Sequence, residues 1–394
     1  MNVLLVVAFA PNPDGHGGNL AVYHLAHELA ARHRVHLVTT GHPVPMDGIT
    51  MTVVDVKEQQ TLPERVWRGA KSMITREPAT SRLFRDAGFG TAVGQAARQA
   101  AFDVAYVSPT VVSFADGALG RLPRVLGVGD AWYRKRTEEA LAAGNLSVLR
   151  RLSIGTIPPY ERAALRRYDA VTVVSEDDRQ ALLALDPEVD VEVIPNGVDA
   201  AFYAAPQGVS RQAGLLVFHG VLDYSVNVDA AEYLVREILP LVQRDEPDVR
   251  VRLIGRNPDR RVRALAGPRV EVTGPVPLIG AALAEGAVGV YPMRRGTGIK
   301  NKVLEAAAAA MPLVTTTLGL GVIDLRPGED LLVADDPAGL AAAIVTLLRS
   351  EEMRTTMGAR ARAGMVERWS WEAMAERYSS LFSRIADQPR VRRD

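Results

Sequence analysis

Tyr291-Pro-Met-Arg-Arg-Gly-Thr-Gly-Ile-Lys-Asn-Lys-Val-Leu-Glu-Ala306 contains the transition on which the fold depends. The apolar run Ala287–Tyr291 predicts a buried strand, and Gly296 and Gly298 predict a loop after it. The Ala-rich segment Lys300–Ala310 then predicts a helix. A strand followed by a glycine loop and a helix is the repeating unit of a parallel α/β sheet.

The same alternation of strands and helices extends along nearly the whole chain. Apolar runs without polar alternation indicate strands buried on both faces of a parallel sheet. The predicted strands are Val3–Ala8, Val35–Thr40, Thr52–Val56, Val104–Ser108, Arg124–Val128, Ala170–Ser175, Val191–Pro195, Leu215–His219, Val249–Ile254, Arg269–Thr273, Ala287–Tyr291 and Leu313–Thr316. The predicted helices include Leu20–Ala31, Ala230–Val242, Lys300–Ala310, Pro337–Leu348 and Trp369–Ala386. This pattern predicts an α/β fold with doubly wound parallel sheets.

Two domains are predicted from the length of 394 residues and from one change in composition. The stretch Ala200–Gly214 is rich in Ala, Pro, Gly and Gln, which is typical of a linker. We therefore expect a Rossmann-like domain over residues 1–200, a second over 201–370, and a C-terminal helix and tail over 371–394 that can pack back on the first. Ligands of such sheets bind at the carboxyl ends of the strands, so function is expected in loops that face an interdomain cleft.

Composition and charge exclude several classes of protein. The chain has 46 basic and 46 acidic residues, and its zero net charge argues against a nucleic-acid-binding protein. It has no cysteine, which excludes disulfides, thiol nucleophiles and Cys-based metal sites.

The location of the protein is predicted from its apolar runs and its charge distribution. No apolar run approaches the roughly 18 residues of a membrane-spanning helix, and no signal peptide is recognisable, so a cytoplasmic bacterial protein is expected. Residues 121–168 carry ten basic and four acidic side chains. This local excess favours contact with an anionic acceptor or with the inner face of the membrane, and the alternative is a solvated helix face.

Residues 296–305 combine four features that favour binding of a phosphate group. Two glycines, a predicted helix N-terminus, two closely spaced lysines (Lys300 and Lys302) and Glu305 coincide at one strand end. Only five of the 46 basic residues are lysine, so this pair is unusual in the chain. Glu305 lies in an apolar run, where a buried carboxylate needs a partner such as the hydroxyls of a ribose. The alternative is that both lysines are solvated and that Glu305 pairs with an arginine.

A second glycine-rich loop, Gly15-His-Gly-Gly-Asn19, follows the first predicted strand. Gly17 and Gly18 precede a helix, so backbone amides there are predicted to approach an anion, and Asn19 is predicted to cap that helix. His16 is predicted to contact the donor or the acceptor of a reaction in the cleft. The dinucleotide-binding fingerprint is incomplete, because its third glycine is missing, and a tight turn without a ligand is the alternative.

Several motifs resemble those of one enzyme family, in the family's order and spacing. Val193-Ile-Pro-Asn-Gly-Val-Asp199 is similar to its interdomain signature, and Gly298-Ile-Lys-Asn-Lys-Val-Leu-Glu305 is similar to its donor-binding helix. Further similar segments are 170–176, 251–255, 272–276 and 222–229. The chain thus resembles the retaining, family 4-like glycosyltransferases, which have the GT-B fold and use nucleoside diphosphate sugars. Its 222–229 segment resembles a subgroup linked to exopolysaccharide and sugar-transfer pathways.

The resemblance implies roles for individual residues. Glu305 would bind the donor ribose, Lys302 would neutralise the departing diphosphate, and Asp130 would stand where the family often has a catalytic-site histidine. A turn or helix-capping role is the alternative for Asp130. The implied donor-binding residues are Gly17, Gly18, Arg256, Thr273, Val276, Thr297, Gly298, Ile299, Lys300, Lys302 and Glu305, and the implied acceptor contact is His16.

The chain also departs from the family pattern. Thr297 stands where the family has the first glutamate of its E-x7-E motif, the residue that contacts the transferred sugar. The segment His219–Asn227 replaces an Arg and Lys pair after the first strand of the second domain, and Arg256 is expected to supply the missing charge.

The reaction implied by the resemblance is sugar transfer to a hydroxyl of a glycan, a lipid-linked intermediate or a natural product. It implies no metal ion and no cofactor other than the nucleotide sugar itself, which is the donor substrate. Two alternatives stay open, a nucleotide-sugar 2-epimerase of the same fold and a non-catalytic sugar-nucleotide-binding partner. Thr297 favours the second alternative, since the expected glutamate is absent.

Overall fold

The computed structural model describes residues 1–13, 15, 17–56, 61, 67, 71–72, 74–142, 148–296 and 298–388. The chain forms two compact units, and each is built on its own parallel sheet. Unit 1 comprises Met1–Pro195 and Met374–Asp394, and unit 2 comprises Asn196–Ala373. Both units are Rossmann-like α/β structures, as the sequence predicts.

Unit 1 contains a seven-stranded parallel sheet in the order β3-β2-β1-β4-β5-β6-β7. Its strands are β1 (Asn2–Val7), β2 (Arg34–Thr40), β3 (Ile49–Val54), β4 (Val104–Ser108), β5 (Arg124–Gly129), β6 (Ala170–Val173) and β7 (Val191–Val193). The central strand β1 is buried from Val3 to Val7, with no residue more than 1% exposed. Its run of branched apolar side chains suits a strand that is covered on both faces.

Helices of unit 1 cover both faces of this sheet. They are α1 (Gly18–Ala30), α2 (Ala79–Asp86), α3 (Phe89–Gln99), α4 (Trp132–Ala142), α5 (Val148–Gly155), α6 (Ile157–Leu165) and α7 (Glu176–Leu185), together with a 3₁₀ helix, Thr110–Ala118. The C-terminal helix α16 (Trp371–Asp387) contributes its residues from Met374 onward to this unit. Its Tyr378 packs edge-to-face on Tyr106 of β4, with 5.4 Å between the ring centroids. This aromatic contact accounts for part of the attachment of the chain's end to unit 1.

Unit 2 contains a six-stranded parallel sheet in the order β10-β9-β8-β11-β12-β13. Its strands are β8 (Leu215–His219), β9 (Arg250–Ile254), β10 (Val270–Val272), β11 (Val288–Tyr291), β12 (Leu313–Thr315) and β13 (Leu332–Val333). This is the strand order of a dinucleotide-binding Rossmann sheet, in which the direction of winding reverses between the two central strands, here β8 and β11. The two-residue strand β13 was not predicted, because it is too short to show a periodic pattern.

Helices of unit 2 are shorter than predicted in one region. They are α8 (Ser225–Tyr233), α9 (Leu239–Asp245), α10 (Arg260–Arg263), α11 (Ile279–Ala284), α12 (Asn301–Ala308), α13 (Thr317–Leu320), α14 (Pro337–Arg349) and α15 (Glu351–Arg368). The single helix predicted over Ala230–Val242 is interrupted by a π-helical turn, Leu234–Ile238. Pro240 explains the interruption, because it has no N–H to donate to the carbonyl four residues earlier.

Within the part of the chain that the structure describes, no helix is both long enough and apolar enough to cross a bilayer.

Candidate functional site

The candidate site lies in unit 2 at the point where the strand order reverses. β8 and β11 are neighbours there, and in open α/β sheets this position forms a crevice at the carboxyl ends of the strands. β8 ends at His219 and β11 ends at Tyr291. The predicted glycine loop and helix α12 follow β11 directly, so the sequence motif with the strongest signal lies at this crevice.

Lys300 holds the glycine loop together from inside. Gly296 and Gly298 adopt φ angles of 95° and 68°, a region that disfavours residues with a side chain. The Lys300 ammonium donates to the carbonyl oxygens of Gly296 at 3.1 Å and Gly298 at 2.8 Å, and Lys300 is only 6% exposed. Lys300 therefore orders the loop, and the helix begins one residue later than predicted, at Asn301.

Two of the predicted site residues cannot be placed. Thr297 and His16 lie outside the described residues. Gly298 and Ile299 are partly exposed at the end of the loop, and Ile299 also packs against the core of unit 2. The predicted backbone contacts of these two residues with a ligand stay predictions.

Lys302 brings a positive charge without a direct contact partner to the first turn of α12. Its ammonium forms no hydrogen bond and no ion pair with any residue that the structure describes. Burial lowers the pKa of Lys302 to about 8; the negative charge of Glu305 opposes this shift, and the positive charge of Lys300 reinforces it. An anion is the ligand that would compensate such an ammonium at a helix N-terminus.

Glu305 is held by side chains from distant parts of unit 2. His219 Nε2 lies 2.7 Å from Glu305 Oε2, and His219 Nδ1 lies 2.6 Å from the hydroxyl oxygen of Tyr291. Tyr203 forms a second side-chain hydrogen bond with Glu305. The interpretation that Glu305 pairs with an arginine is therefore wrong among the described residues, because a histidine and a tyrosine occupy that role.

Glu305 stays ionised although it is poorly solvated. Burial by itself would raise the pKa of Glu305, but the hydrogen bonds of His219 and Tyr203 and the charge of Lys302 hold it below its ordinary value. Burial, followed by the charge of Glu305, raises the pKa of the Tyr203 and Tyr291 hydroxyls. The carboxylate is thus an acceptor at neutral pH, and both phenols keep the protons that they can donate.

The loops after β9 and β10 reach the same edge of the sheet. Leu222 N donates to the carbonyl oxygen of Arg256 at 3.0 Å, and Thr273 N donates to that of Leu253 at 2.9 Å. Val276, three residues further on, packs against the core of unit 2. The structure therefore brings the predicted residues Arg256, Thr273 and Val276 to the edge that carries the glycine loop.

In unit 1 packing explains one glycine of the first glycine loop, Gly18. Gly17 is the N-cap of α1 and Gly18 is its first residue. A Cβ atom at Gly18 would lie 2.4 Å from the ring of Phe9, so close approach of this ring requires the glycine. Asn19 does not cap the helix as predicted, because α1 begins two residues before Leu20; its amide instead donates to the carbonyl of Ala10 at 2.8 Å.

Asp130 is exposed at the carboxyl end of β5. Its Oδ2 lies 2.5 Å from Lys135 Nζ, and it does not cap α4. The amide of Ala131 donates to Asp178 Oδ1 at 3.0 Å, and the next two amides donate to Glu161 at 2.9 and 3.3 Å. The helix-capping alternative for Asp130 is therefore wrong, since two other carboxylates occupy that position.

These two buried carboxylates were missed by the sequence analysis. Glu161 is 0% exposed and Asp178 is 4% exposed. Burial raises the pKa of both, to about 7 for Glu161, although the backbone amides that they accept from oppose the shift. Ser175 and Asp178 have the three-residue spacing of a capping box, a signal that the sequence did contain. Within the described part of the chain, no group of three or more acidic or histidine side chains is placed to hold a metal ion.

Three residues of unit 2 around Glu305 were missed in the sequence: His219 and Tyr203, which bond to it, and Tyr291, which bonds to His219. Tyr291 was noted as a strand end, and His219 as a strand end and as the start of the segment that replaces the family's Arg and Lys pair. Neither was assigned to the site, although each is a polar ring at the last position of a central strand. Nothing in the sequence pointed to Tyr203. It lies after the interdomain motif, and no motif or spacing relates it to Glu305.

Two family models match the chain. One, described as "Glycosyl transferases group 1", matches residues 213–350, and the other, described as "Glycosyltransferase Family 4", matches residues 15–202. Together they cover most of the chain, and the first includes the crevice residues from His219 to Glu305.

Curated relatives align with a part of the chain. A phosphatidyl-myo-inositol mannosyltransferase of Mycobacterium leprae is 33% identical over 212 residues, which are 50% of this chain and 54% of the relative. A D-inositol 3-phosphate glycosyltransferase of Kineococcus radiotolerans is 30% identical over 271 residues, which are 57% of this chain and 59% of the relative. The chain thus spans a little over half the length of these relatives.

Solved structures match the fold over nearly its whole length. A sucrose-phosphate synthase from Thermosynechococcus elongatus has a TM-score of 0.70 at 17% identity, covering 98% of this chain and 99% of its own. The Anabaena protein HepE, solved in complex with UDP and glucose, has a TM-score of 0.64 at 15% identity, covering 96% and 99%. At these identities the likeness concerns the fold alone.

Proposed function

Because the chain belongs to the GT-B glycosyltransferases of the family 4 type, we propose that it transfers a sugar from a nucleoside diphosphate sugar to a hydroxyl group of an acceptor. The proposed donor site is the crevice at the carboxyl ends of β8 and β11. The observation that carries this proposal is the partly buried ammonium of Lys302, which has no partner among the described residues and lies in the first turn of α12.

The diphosphate of the donor is the proposed partner of Lys302. Burying an ammonium without compensation costs stability, so a site that keeps one has a use for its charge. The N-terminus of α12 adds the positive end of the helix dipole. The loop next to it, whose carbonyl oxygens Lys300 binds, is proposed to add backbone amides. A diphosphate would be held by charge and amides together.

The nucleoside of the donor is proposed to extend from this diphosphate across the sheet edge. Glu305 has free acceptor capacity for ribose hydroxyls, since an ionised carboxylate offers about four lone-pair sites and two described side chains bond to it. The loop from Thr273 to Val276 is proposed to hold the nucleobase through backbone groups, with Arg256 beside it. Gly17 and Gly18 of unit 1 are proposed as further donor-binding residues.

In the proposed reaction the configuration of the sugar is retained. The bond from the anomeric carbon to the diphosphate oxygen breaks, and a bond from the acceptor oxygen forms on the same face. The acceptor's proton passes to the departing diphosphate oxygen. Lys302 and the N-terminus of α12 stabilise the charge that develops on this leaving group, so the proposed mechanism uses no metal ion.

The relatives suggest which donors and acceptors to test. A HepE structure contains UDP-glucose, and a relative from Corynebacterium glutamicum is named as GDP-mannose-dependent. Several relatives are named for inositol-containing acceptors. We propose a UDP- or GDP-sugar as donor and a polyol hydroxyl as acceptor, either soluble or on a lipid. Exposed Asp130 is proposed to bind the acceptor hydroxyls.

The proposal is tested in two steps. A thermal-shift screen of UDP- and GDP-sugars identifies the donor, because a ligand that binds only the folded state raises the melting temperature. The tightest donor is then incubated with inositol, inositol phosphate, or phosphatidylinositol vesicles. Acceptor-dependent release of nucleoside diphosphate with a glycoside product whose anomeric configuration matches that of the donor supports the proposal.

Other outcomes of the same experiment contradict it. Conversion of the nucleotide sugar without an acceptor would show an epimerase, and donor binding without any turnover would show a non-catalytic binding protein. A product with inverted configuration would contradict retention only. Lys71→Met, which removes a lysine of unit 1, is the control for variants of Lys302.

A further inference from the structure

Glu305 ends a chain of three buried or partly buried groups that begins at Tyr291. The Tyr291 hydroxyl lies 2.6 Å from His219 Nδ1, and His219 Nε2 lies 2.7 Å from Glu305 Oε2. Tyr291 is 0% exposed and His219 is 4% exposed, whereas the Glu305 side chain is 26% exposed. The chain therefore runs from the core of unit 2 outward to the crevice.

The proton positions in this chain follow from which groups can accept. An ionised carboxylate only accepts, so His219 Nε2 must carry the proton that it shares with Glu305. Tyr291 is fully buried and burial raises the pKa of its hydroxyl, so it keeps a proton to donate to Nδ1. The arrangement selects the imidazole tautomer with hydrogen on Nε2, and this tautomer points a donor at Glu305.

Tyr203 contacts the same carboxylate from another part of the unit. It lies more than ten residues before β8, and its hydroxyl forms a hydrogen bond with Glu305. The backbone of residues 202–204 is held against α11, since a Cβ atom at Gly280 would lie 2.9 Å from Ala204 O and 3.1 Å from Tyr203 O. Two donors on separate supports thus restrict the carboxylate, which keeps acceptor capacity and is 26% exposed.

We propose that His219 is a positioning residue, which together with Tyr291 behind it holds Glu305 in the orientation that recognises the ribose hydroxyls of the donor. The inference rests on the proposed function, because it assumes that a nucleotide binds in this crevice. It adds that recognition of ribose depends on two residues that do not themselves contact the nucleotide. Its consequence is that the preference for ribose over deoxyribose depends on His219.

A purely structural role for His219 predicts a different outcome. If the histidine only fills space or stabilises β8, its replacement would weaken all nucleotides alike. If it orients Glu305, its replacement would weaken only those nucleotides whose 2′-hydroxyl reaches the carboxylate. The ratio of affinities for a ribonucleotide and its 2′-deoxy counterpart separates these roles.

The experiment measures the affinity of the full chain for UDP, GDP, 2′-deoxy-UDP and 2′-deoxy-GDP by calorimetry. The variants are His219→Leu, which removes the donor, and His219→Gln, whose side-chain amide can place an N–H near the position of Nε2. Tyr291→Phe removes the hydroxyl that sets the tautomer. His27→Leu and Tyr168→Phe, both in unit 1, are the matched controls.

We expect His219→Leu to weaken the better-bound ribonucleotide about tenfold and its deoxy counterpart less than about twofold. His219→Gln should retain most of the preference for ribose over deoxyribose. Tyr291→Phe should reduce this preference about threefold. Both control variants should keep the ratio of the unchanged chain. Circular dichroism and the melting temperature check that each variant is folded.

An equal loss for both nucleotides in His219→Leu, or an unchanged ratio, would overturn the inference. If that variant fails to fold, Tyr291→Phe decides in the same way, because it leaves the imidazole in place. Absence of UDP and GDP binding by the unchanged chain would instead overturn the proposed function, and the inference with it. Binding without any ribose preference would overturn the inference alone.

Discussion

The start of α12 in unit 2 and the start of α4 in unit 1 both lie at the carboxyl end of a parallel strand, yet their charges are satisfied in opposite ways. Each helix follows a parallel strand at its carboxyl end. At α4 the first amides donate to the buried carboxylates of Glu161 and Asp178. At α12 no side chain caps the helix, and the Lys302 ammonium has no partner among the described residues.

The difference indicates which site is structural and which is available to a ligand. Carboxylates that accept from the amides of their own unit stabilise a helix start and leave little capacity for a substrate. A partly buried ammonium with no hydrogen bond or ion pair costs stability until an anion binds, because the nearby charge of Glu305 offsets only part of its desolvation. We therefore assign the α4 start to stability and the α12 start to binding.

The largest effect is expected for Lys302→Met, which removes the charge that the comparison depends on. Transfer should fall about 100- to 1,000-fold, because a group that stabilises developing charge is lost. The protein without ligand should become more stable by about 1–2 kcal/mol, since a desolvated ammonium disappears. Steady-state kinetics and thermal unfolding measure the two effects.

Lys71→Met should leave transfer unchanged and serves as the control for this variant. If Lys302→Met kept donor affinity within about threefold, the diphosphate would have to bind elsewhere. The contrast between the two helix starts would then no longer assign the α12 start to binding.

The second effect concerns Glu161 and stability in unit 1. Its pKa is raised by burial to about 7, so the folded state binds more protons than the unfolded state between about pH 4.5 and 7. The contribution of Glu161 to stability is thus fully present below about pH 4.5 and is lost as the pH rises through about 7. Relative to that of the unchanged chain, the free energy of unfolding of Glu161→Gln should rise by about 2 kcal/mol as the pH increases from 5 to 8.

Urea denaturation of both chains at four pH values from 5 to 8 checks this prediction. Because only the difference between the two chains is compared, the titration of other carboxylates cancels. Parallel stability profiles for the two chains would mean that Glu161 titrates normally and that the α4 start is not a buried acid site.

The third effect is a dependence of donor binding on pH. Burial lowers the pKa of Lys302 to about 8, so the free protein loses the charge above this pH, and binding of a diphosphate must first restore it. The affinity for the better of UDP and GDP should fall about tenfold between pH 8 and pH 9.5. In Lys302→Arg the charge persists, so this slope should disappear even if the affinity itself is lower. A slope that survives in Lys302→Arg would assign the titration to another group.

The smallest effect is expected for Asp130→Asn. Its ion pair with Lys135 is exposed, so the free energy of unfolding should change by less than about 0.5 kcal/mol. If Asp130 binds the acceptor, the KM for the acceptor should rise a few-fold, while donor affinity stays constant. A change in donor affinity instead would place Asp130 at the sugar nucleotide, and unchanged kinetics would remove it from the site.

Local patterns in the sequence predicted most of the fold. Segments such as Leu215–His219 and Val104–Ser108 coincide with strands to the residue, because a short, mostly apolar run is typical of a strand buried on both faces. The glycine loop before α12 was also predicted correctly, because glycines with positive φ are required where the chain turns sharply. The break at Leu234–Ile238 was missed, although Pro240 marked it.

The candidate site was predicted only in part. The position of Lys302 in the first turn of a helix follows from spacing alone, and so does its distance along the chain from Glu305. The partners of Lys300 did not follow, because donation to Gly296 and Gly298 depends on how the loop folds back on itself.

The order of residues along the chain was sufficient to establish parallel α/β units, a glycine loop and a charged helix start, since each depends on neighbours within about ten residues. The partners of Glu305 could not be established in this way. His219 lies 86 residues before it, and only the placement of β8 beside β11 brings the imidazole to the carboxylate. Contacts of this kind arise from strand order, which local sequence patterns do not encode, and they determine which charges are already compensated and which are left for a ligand.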